Sequence, residues 1–390
     1  MKRSIVRGAA ALAAALACTC ALAAGNTIKV GVIAEMSGTF ADFGQQITNG
    51  AKAYMKANGD TVAGKKIELI VKDATGPAPD VARRLAQELV VKDEVDFIVG
   101  FGLTPNALAV ASIASEAKKP TVIMNAASSI ITTKSPYLVR TSMTLPQVTE
   151  PMAQWAYKSG VRKVYTVVAD YGPGHDAEKA FRGAFTKAGG EIVGDVRVPL
   201  KNPEFGPFVQ RVKDARPQAV FVFMPAGELA LGFMKAYNER GLDKAGIKLL
   251  TTGDLTEDGI LEALGDHALG VISTHHYSMA HDSPENKAFL AAYAQVSPQR
   301  PNFMAVGAWD GMAAIYEVVR KLNGTIDGDK AMQAFKGMKI KSPRGPLEID
   351  PETRDVVQTV YVREVKKVGG KLYNVEFDQF PAVKDPGKGG

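Results

Sequence analysis

The feature of this sequence that most constrains its fold is a regular alternation of short apolar segments with longer amphipathic ones. In the first third of the chain, four apolar segments predict β-strands: Thr27–Ala34, Lys66–Lys72, Val95–Val99 and Thr121–Met124. The segments between them have the periodicity of helices, as at 42–57 and 79–92. Strands that alternate with helices at this spacing indicate βαβ units. The first third is therefore predicted to be a doubly wound parallel α/β unit.

The same alternation restarts after residue 143, and 390 residues are enough for two such units. Further strands are predicted at 163–169, 191–198, 219–223, 248–252 and 271–274. After His275 the pattern changes to three helices without strands between them, at 284–296, 303–322 and 329–337, followed by strands at 345–349, 356–364 and 373–380. We interpret this end of the chain as crossing back to complete the first lobe and then crossing again to the second.

The first 23 residues have the character of a secretory signal peptide. Basic residues precede the apolar run Ala9–Ala17, which is too short to span a bilayer, and Ala21-Leu22-Ala23 offers small residues for cleavage. A lipoprotein modified at Cys18 is a minor alternative. Cleavage removes both cysteines, Cys18 and Cys20, so the mature chain is predicted to have no cysteine nucleophile and no cysteine-ligated metal site.

The charge of the mature chain indicates no nucleic-acid partner. The leader holds three of the 47 basic residues and none of the 41 acidic ones, which leaves a net charge of +3. The basic residues form no run longer than pairs such as Lys65-Lys66, so the sequence contains no basic stripe. No second apolar stretch approaches the length of a membrane span. We expect an exported protein.

Two turns at the carboxyl ends of predicted strands are the candidate ligand site. Gly100–Pro105 follows the third strand and Asn125–Ser129 follows the fourth, and open α/β sheets bind ligands at this edge. Thr104 is predicted to be a helix N-cap with Pro105 at the first helical position. Such a helix start leaves backbone N–H groups and a partial positive charge free for a carboxylate, to which Thr104 and Ser128 would add hydroxyl donors. The same turns are also compatible with a phosphate, or with no ligand.

Short motifs along almost the whole mature chain resemble those of one family. They are Ile28-Lys29-Val30-Gly31-Val32-Ile33 before Met36-Ser37-Gly38, Asn125-Ala126-Ala127-Ser128, Asp170-Tyr171-Gly172, and Gly345-Pro346-Leu347. In this order and behind a leader, they resemble the periplasmic solute-binding proteins of ABC importers, in the Leu/Ile/Val-binding group. The resemblance implies a type I periplasmic binding protein fold. This fold has two doubly wound α/β lobes joined by three crossing segments, with the ligand between the lobes.

The resemblance also implies the boundaries and the function of the chain. The N-terminal lobe is expected at 26–143 plus 276–359 and the C-terminal lobe at 144–275 plus 360–380, with a disordered Gly/Lys/Pro-rich tail at 381–390. The implied function is the capture of a small carboxylate, a branched-chain or related amino acid, and its delivery to the membrane permease of an ABC importer. No cofactor or metal is implied, and the protein is expected to be a monomer.

The family pattern assigns roles to particular residues. Thr104 corresponds to the hydroxyl that holds the ligand carboxylate after the third strand. Ala126 and Ala127 correspond to backbone N–H donors, and Ser128 to a second hydroxyl, after the fourth strand. Two aromatic positions also match: Phe43, where the family packs a ring on the ligand side chain, and Tyr171, which closes over the ligand from the second lobe.

One departure from the pattern leaves the ligand class open. Amino acid binders place an acid after the strand at 248–252 to take the ligand ammonium, and here Asp254 fits only if the alignment shifts by one residue. Without it, burying an unpaired ammonium would cost several kcal/mol. Since Phe101 also lies near the carboxylate turn, an aromatic or other amine-free carboxylate is the alternative ligand. A ligand sensor module of a signalling system is the alternative role.

Three patterns suggest other chemistry only weakly. Gly100–Pro105 half matches a dinucleotide fingerprint, but Pro105 stands at the third glycine and the turn follows the wrong strand. His275, His276 and His281 lack the ordered spacing of metal ligands, and we interpret them as polar residues of a crossing segment. Ser128 and Ser129, with Asp170 and His175, lack a nucleophile elbow. The chain is therefore predicted not to be an enzyme.

Overall fold

The structure is a computed structural model that describes residues 25–388. The predicted signal peptide at 1–23, with Cys18, lies outside the described residues. The described part contains fifteen β-strands and eleven α-helices. None of these eleven helices combines the length and the hydropathy that a bilayer span requires.

The first sheet has six strands and is built from the first third of the chain. Its strands are β1 (Thr27–Ala34), β2 (Thr61–Val62), β3 (Lys65–Asp73), β4 (Phe97–Gly100), β5 (Thr121–Ile123) and β6 (Leu138–Arg140). The order is β2-β3-β1-β4-β5-β6, and all pairs are parallel except β2 with β3. Helices α1 (Ala41–Asn58), α2 (Pro79–Val91) and α3 (Thr104–Glu116) connect these strands. As expected for a parallel strand covered on both faces, Val30, Val32 and Ile33 are fully buried.

The second sheet has nine strands. They are β7 (Lys163–Ala169), β8 (Glu191–Val198), β9 (Ala219–Phe223), β10 (Lys248–Thr252), β11 (Ile272–His275), β12 (Lys339–Ser342), β13 (Gly345–Ile349), β14 (Val356–Val368) and β15 (Lys371–Val383). The order is β12-β13-β14-β11-β10-β9-β7-β8, and β15 pairs with β14. Strands β7 to β11 pair in parallel, whereas β14 is antiparallel to β11, β13 and β15. The helices of this part are α4 (Leu145–Lys158), α5 (Gly172–Lys187), α6 (Phe205–Ala215), α7 (Glu228–Glu239) and α8 (Leu261–Leu264).

The late helices return to the first lobe, which confirms the interpretation of the chain end as crossing between lobes. These helices are α9 (Pro284–Tyr293), α10 (Phe303–Lys321) and α11 (Gly328–Phe335). Helix α10 packs on α1, where Tyr54 contacts the rings of Trp309 and Tyr316 at centroid distances of 5.1 and 5.0 Å. A Cβ on Gly50 would lie 2.2 Å from the Ala305 carbonyl oxygen, so the two helices approach as closely as only glycine permits. The predicted two-lobe α/β fold is thus present, while the residue boundaries of the lobes stay a prediction.

The C-terminal tail differs from its prediction. Residues 381–383 belong to β15, and Pro386–Lys388 form a 3-10 turn packed against the body of the protein. Asp385 Oδ1 accepts a hydrogen bond from Ser129 Oγ at 2.9 Å, and Lys388 forms an ion pair with the buried Asp355. Disorder is therefore the wrong prediction for residues 381–388. The composition of the tail indicated disorder, but composition does not show which residues of the folded protein its polar groups contact.

Candidate functional site

A small cavity lies between the two lobes at the carboxyl ends of their strands. Its volume is about 20 Å³, which is room for about one water molecule. It is lined by Phe43, Gly102, Thr104, Asn125, Ala127, Met143, Leu145, Tyr171, Pro173, Phe223, Pro225 and Asp254. Larger clefts elsewhere, such as one beside Trp155 and Leu269, contain none of the predicted site residues.

Five of the eight predicted site residues line this cavity: Phe43, Thr104, Ala127, Tyr171 and Asp254. The other three, Phe101, Ala126 and Ser128, do not line it. The structure thus brings together residues that lie more than two hundred positions apart in the chain. The binding roles of all eight residues stay predictions.

The turn after β4 is held in a tight conformation that presents Thr104 to the cavity. Gly100 has φ +109°, and a Cβ there would lie 2.4 Å from the Ile33 carbonyl oxygen, so glycine is required. Leu103 is the N-cap and Thr104 is the first residue of α3, so the prediction of Thr104 as N-cap is wrong. Its hydroxyl oxygen instead accepts a hydrogen bond from the Ser128 N–H at 3.3 Å. The hydroxyl proton of Thr104 remains available to a ligand.

The turn after β5 uses most of its polar groups within the protein. The Ala126 N–H donates to the Phe101 carbonyl at 2.8 Å, and Phe101 is itself fully buried behind the cavity wall. Ser128 Oγ donates to Asp176 Oδ2, a carboxylate on α5 of the opposite lobe. The Ala127 N–H makes no hydrogen bond to any residue that the structure describes. Of the predicted donors in this turn, Ala127 is therefore the one that stays free beside the cavity.

Aromatic rings form the apolar walls of the cavity. Tyr171 and Phe223 from the second lobe are stacked, with centroids 6.1 Å apart and an interplanar angle of 16°. Phe43 faces them from the first lobe and is held edge-on by Phe40 at 5.3 Å. Burial, together with the nearby charge of Asp254, raises the pKa of the Tyr171 hydroxyl well above its ordinary value, so this hydroxyl keeps its proton.

Asp254 is the acidic residue of the cavity. Its Oδ2 accepts a hydrogen bond from Thr252 Oγ1 at 2.9 Å and lies 3.8 Å from His275 Nε2. Burial raises the pKa of Asp254 to about 6, against the stabilising bond from Thr252, so the carboxyl is mostly ionised at neutral pH. No Lys or Arg is among the described residues that line the cavity.

Sequence reasoning missed two polar residues of the site. Asn125 lines the cavity and donates from Nδ2 to the Gly102 carbonyl at 2.8 Å. Glu35 lies behind the cavity wall, where it accepts hydrogen bonds from the Gly102 N–H at 3.1 Å and from Asn106 Nδ2 at 2.7 Å, and burial raises its pKa to about 7. Both residues follow a buried strand. That position was the sequence signal that could have identified them, because the cavity is formed at the ends of these strands.

His275 and His276 lie at the end of β11, where the chain leaves the second sheet for the late helices, and they are buried there. Both are fully buried, with ring centroids 4.3 Å apart, and His275 lies 4.4 Å from the ring of Phe303. Burial lowers their pKa well below the ordinary value, so both are neutral. His281 pairs instead with Glu376, with 2.9 Å between Nδ1 and Oε2. Within residues 25–388, no group of three or more His, Cys, Asp or Glu side chains is arranged to hold a metal ion.

Comparisons with known proteins point to one family. A model of the periplasmic binding protein family matches residues 27–371. Leu/Ile/Val-binding protein homolog 6 of Brucella melitensis is 48% identical over 365 residues, which cover 93% of this chain and 94% of that protein. Among solved structures, one similar protein is a solute binding protein of an ABC transporter from Rhodopseudomonas palustris BisB5, in complex with 3,4-dihydroxybenzoic acid. It is 55% identical, with a TM-score of 0.90, and the match covers 93% of this chain and 99% of that one. A second, from Rhodopseudomonas palustris HaA2 in complex with p-hydroxybenzoic acid, is 48% identical with a TM-score of 0.91 and the same coverage.

Proposed function

This chain belongs to the periplasmic binding protein family, and from that premise we propose that it captures a single-ring aromatic carboxylate between its lobes for the permease of an ABC importer. The observation that carries the proposal is the lining of the cavity between the lobes, which is walled by the rings of Phe43, Tyr171 and Phe223. The cavity has room for about one water molecule, so in this proposal the lobes move apart to admit the ligand. Stacked and edge-on contacts with a flat ring suit such walls. The relatives at 55% and 48% identity whose structures hold hydroxylated benzoic acids support the same class of ligand.

The first lobe offers the groups that a carboxylate needs. The Thr104 hydroxyl and the free Ala127 N–H both border the cavity. Thr104 also begins α3, a helix of 13 residues whose first-turn N–H groups carry a partial positive charge. Hydrogen bonds to an ionised carboxylate are stronger than neutral ones, so these groups suit an acid better than its amide.

The second lobe supplies groups that reach the ligand only when the lobes are closed. Tyr171, Phe223 and Asp254 come from β7, β9 and β10 and their following turns, whereas Thr104 and Ala127 belong to the first lobe. A ligand that contacts both sets stabilises the closed state by its differential affinity for it. In this mechanism the protein binds and releases its ligand without changing it chemically, in the periplasm, after export by the predicted leader.

Calorimetry on the mature chain tests the proposal. Benzoate and 4-hydroxybenzoate are expected to give saturable heats and to raise the Tm, because a ligand at about 100 times its Kd stabilises the folded state by about 2.7 kcal/mol. L-leucine, L-valine and L-phenylalanine are the controls and are expected to do neither. NMR of the recovered benzoate should show an unaltered compound. Binding of the amino acids alone, or turnover of the benzoate, would refute the proposal.

A branched-chain amino acid is the second candidate, and one observation favours it. Asp254 does face the cavity, so a ligand ammonium would have a counter-charge. If the ligand is an amino acid, Asp254→Asn should abolish calorimetric binding of L-leucine, because the buried ammonium is left unpaired. Absence of L-leucine binding to the unmodified chain would remove this candidate.

A further inference from the structure

Two residues with hydrogen-bond acceptors in their side chains line the cavity from opposite lobes. Asn125 follows β5 in the first lobe, and Asp254 follows β10 in the second. Both residues line the cavity and are buried, with 6% and 7% of their surface exposed. Buried acceptors normally have a donor, because water is excluded from around them. The donors that these two acceptors lack within the protein therefore indicate which donor groups the ligand has.

The Asn125 side chain is held in one orientation. Its Nδ2 donates to the Gly102 carbonyl at 2.8 Å, so a flip of the amide would bring two oxygens together and lose this bond. Its Oδ1 is buried and accepts no hydrogen bond from any residue that the structure describes. The oxygen is thus an acceptor that the protein itself leaves without a donor.

Asp254 is only partly satisfied by the protein. Thr252 Oγ1 donates to Oδ2, and His275 Nε2 lies 3.8 Å away, beyond hydrogen-bond distance. The carboxylate therefore has capacity for further donors, since an ionised carboxylate offers about four lone-pair sites. The buried Arg363 acts on Asp254 through its charge, but no hydrogen bond joins the two among the described residues, and no Lys or Arg lines the described cavity.

We infer that the ligand is a hydroxylated benzoate whose phenolic hydroxyls donate to Asp254 and to Asn125 Oδ1, which makes these two residues the determinants of specificity within the proposed function. A phenol loses its proton only near pH 10, so at neutral pH it is a donor. Unsubstituted benzoate has no donor for either acceptor and leaves both unpaired when the lobes close. A site built for a hydroxyl discriminates strongly against the analogue that lacks it. The carboxylate of the ligand remains with Thr104 and Ala127.

Calorimetric titration with four probes tests this inference: 3,4-dihydroxybenzoate, 4-hydroxybenzoate, 4-fluorobenzoate and benzoate. Fluorine resembles the hydroxyl in size but donates no hydrogen bond. The dihydroxy compound is expected to bind most tightly, the monohydroxy compound about tenfold more weakly, and the two probes without a donor at least a further tenfold more weakly.

Substitutions test which residue causes each difference in affinity between these probes. Asp254→Leu should remove the preference for 4-hydroxybenzoate over benzoate. Asn125→Leu should remove the preference for the dihydroxy over the monohydroxy compound. Because each variant is compared across ligands, a general loss of stability leaves the ratios unaffected. Glu178→Gln is the matched control, since its carboxylate pairs with Arg197 and does not line the cavity, so its ratios should equal those of the unmodified chain.

The outcomes separate this inference from the proposed function. Equal affinity of the unmodified chain for benzoate and 4-hydroxybenzoate would overturn the inference and leave the proposed function intact. Ratios that survive in Asp254→Leu and Asn125→Leu would also overturn it. Failure of all four probes to bind would instead refute the proposed function.

Discussion

Thr104 occupies a position where several local constraints meet. The strained turn before it, the start of α3 and the hydrogen bond from Ser128 all orient its side chain toward the cavity. Its methyl group also lies near Gly172, since a Cβ built on that glycine would be 3.7 Å from Thr104 Cγ2. Thr104 of the first lobe therefore lies beside the start of α5 in the second lobe.

Thr104→Ala is expected to lower the affinity for the ligand by about tenfold or more. The physical reason is the loss of a charge-assisted hydrogen bond, worth about 1.5–3 kcal/mol. Isothermal titration calorimetry measures the change. Thr48→Ala is the control, because Thr48 is buried in α1 of the same lobe but does not line the cavity. Unchanged affinity in Thr104→Ala would exclude the proposed carboxylate contact.

Gly100→Ala is expected to destabilise the protein by about 2 kcal/mol or more, because φ is +109° and the new Cβ would collide with the Ile33 carbonyl. Urea unfolding measures the difference. Gly183→Ala is the opposite control: this glycine is exposed in α5 with open space around it, so alanine should stabilise the helix by about 0.5–1 kcal/mol. Equal effects of the two substitutions would contradict this account of the turn.

At the scale of elements, α5 of the second lobe contacts the turn that follows β5 in the first lobe. Asp176 is the fifth residue of α5, and Asp176 Oδ2 accepts hydrogen bonds from Ser128 Oγ and, at 3.2 Å, from the Ser129 N–H. The C-terminal segment joins the same place, because Asp385 accepts from Ser129 Oγ at 2.9 Å and from Thr144 Oγ1 at 2.8 Å. Ser128 therefore takes part in a contact between the two lobes.

Asp176→Asn is expected to weaken the binding of every ligand by about tenfold, mainly through faster dissociation, because it removes charge-assisted bonds that exist only in the closed state. Stopped-flow fluorescence measures the dissociation rate. Glu178→Gln is the matched control, since Glu178 lies on the same helix but pairs with Arg197 of the same lobe at 2.8 Å. An unchanged dissociation rate in Asp176→Asn would show that this contact does not hold the lobes closed.

At the scale of the whole molecule, burial leaves several carboxyls in the interior whose protons are held unusually tightly. Glu257 follows β10, accepts from Asn302 Nδ2 at 2.9 Å and from the Gly259 N–H at 2.7 Å, and faces the like charges of Asp42 and Asp258. Burial, with Asp42 as the next cause, raises its pKa to about 8. Burial also raises the pKa of Glu35 to about 7.

The free energy of unfolding is expected to fall by about 1–2 kcal/mol between pH 6.5 and 8.5. In this window the folded state holds protons on Glu257 and Glu35 that the unfolded state has lost, so raising the pH favours unfolding. Below about pH 6.5, His275 and His276 have the opposite effect, and lowering the pH favours unfolding. Burial lowers their pKa values, so the unfolded state binds protons there that the folded state does not. Urea titrations at several pH values measure the slope. Glu257→Gln should flatten it, and a slope unchanged in that variant would contradict the assignment.

The sequence by itself determined the elements, the order of the two lobes and the family. Strands such as Thr27–Ala34 and helices such as Ala41–Asn58 depend on periodicity within a dozen or so residues, which any segment shows without its neighbours. The turns that end the strands were also visible, and five residues selected from turns and nearby helices line the cavity. The short strands β2, β6 and β12 were missed.

Only the tertiary structure decided which polar atoms remain free for a ligand. Ser128 has the same local surroundings as Ala127, yet its hydroxyl is taken by Asp176, 48 positions further along the chain. Asn125 Oδ1 stays without a donor because its amide is turned toward Gly102, 23 positions earlier. The order of the tail and the burial of His275 also depend on contacts with residues that are distant in the chain. A hydrogen bond depends on the distance and direction between two atoms, and for distant residues only the packing of the two lobes sets these.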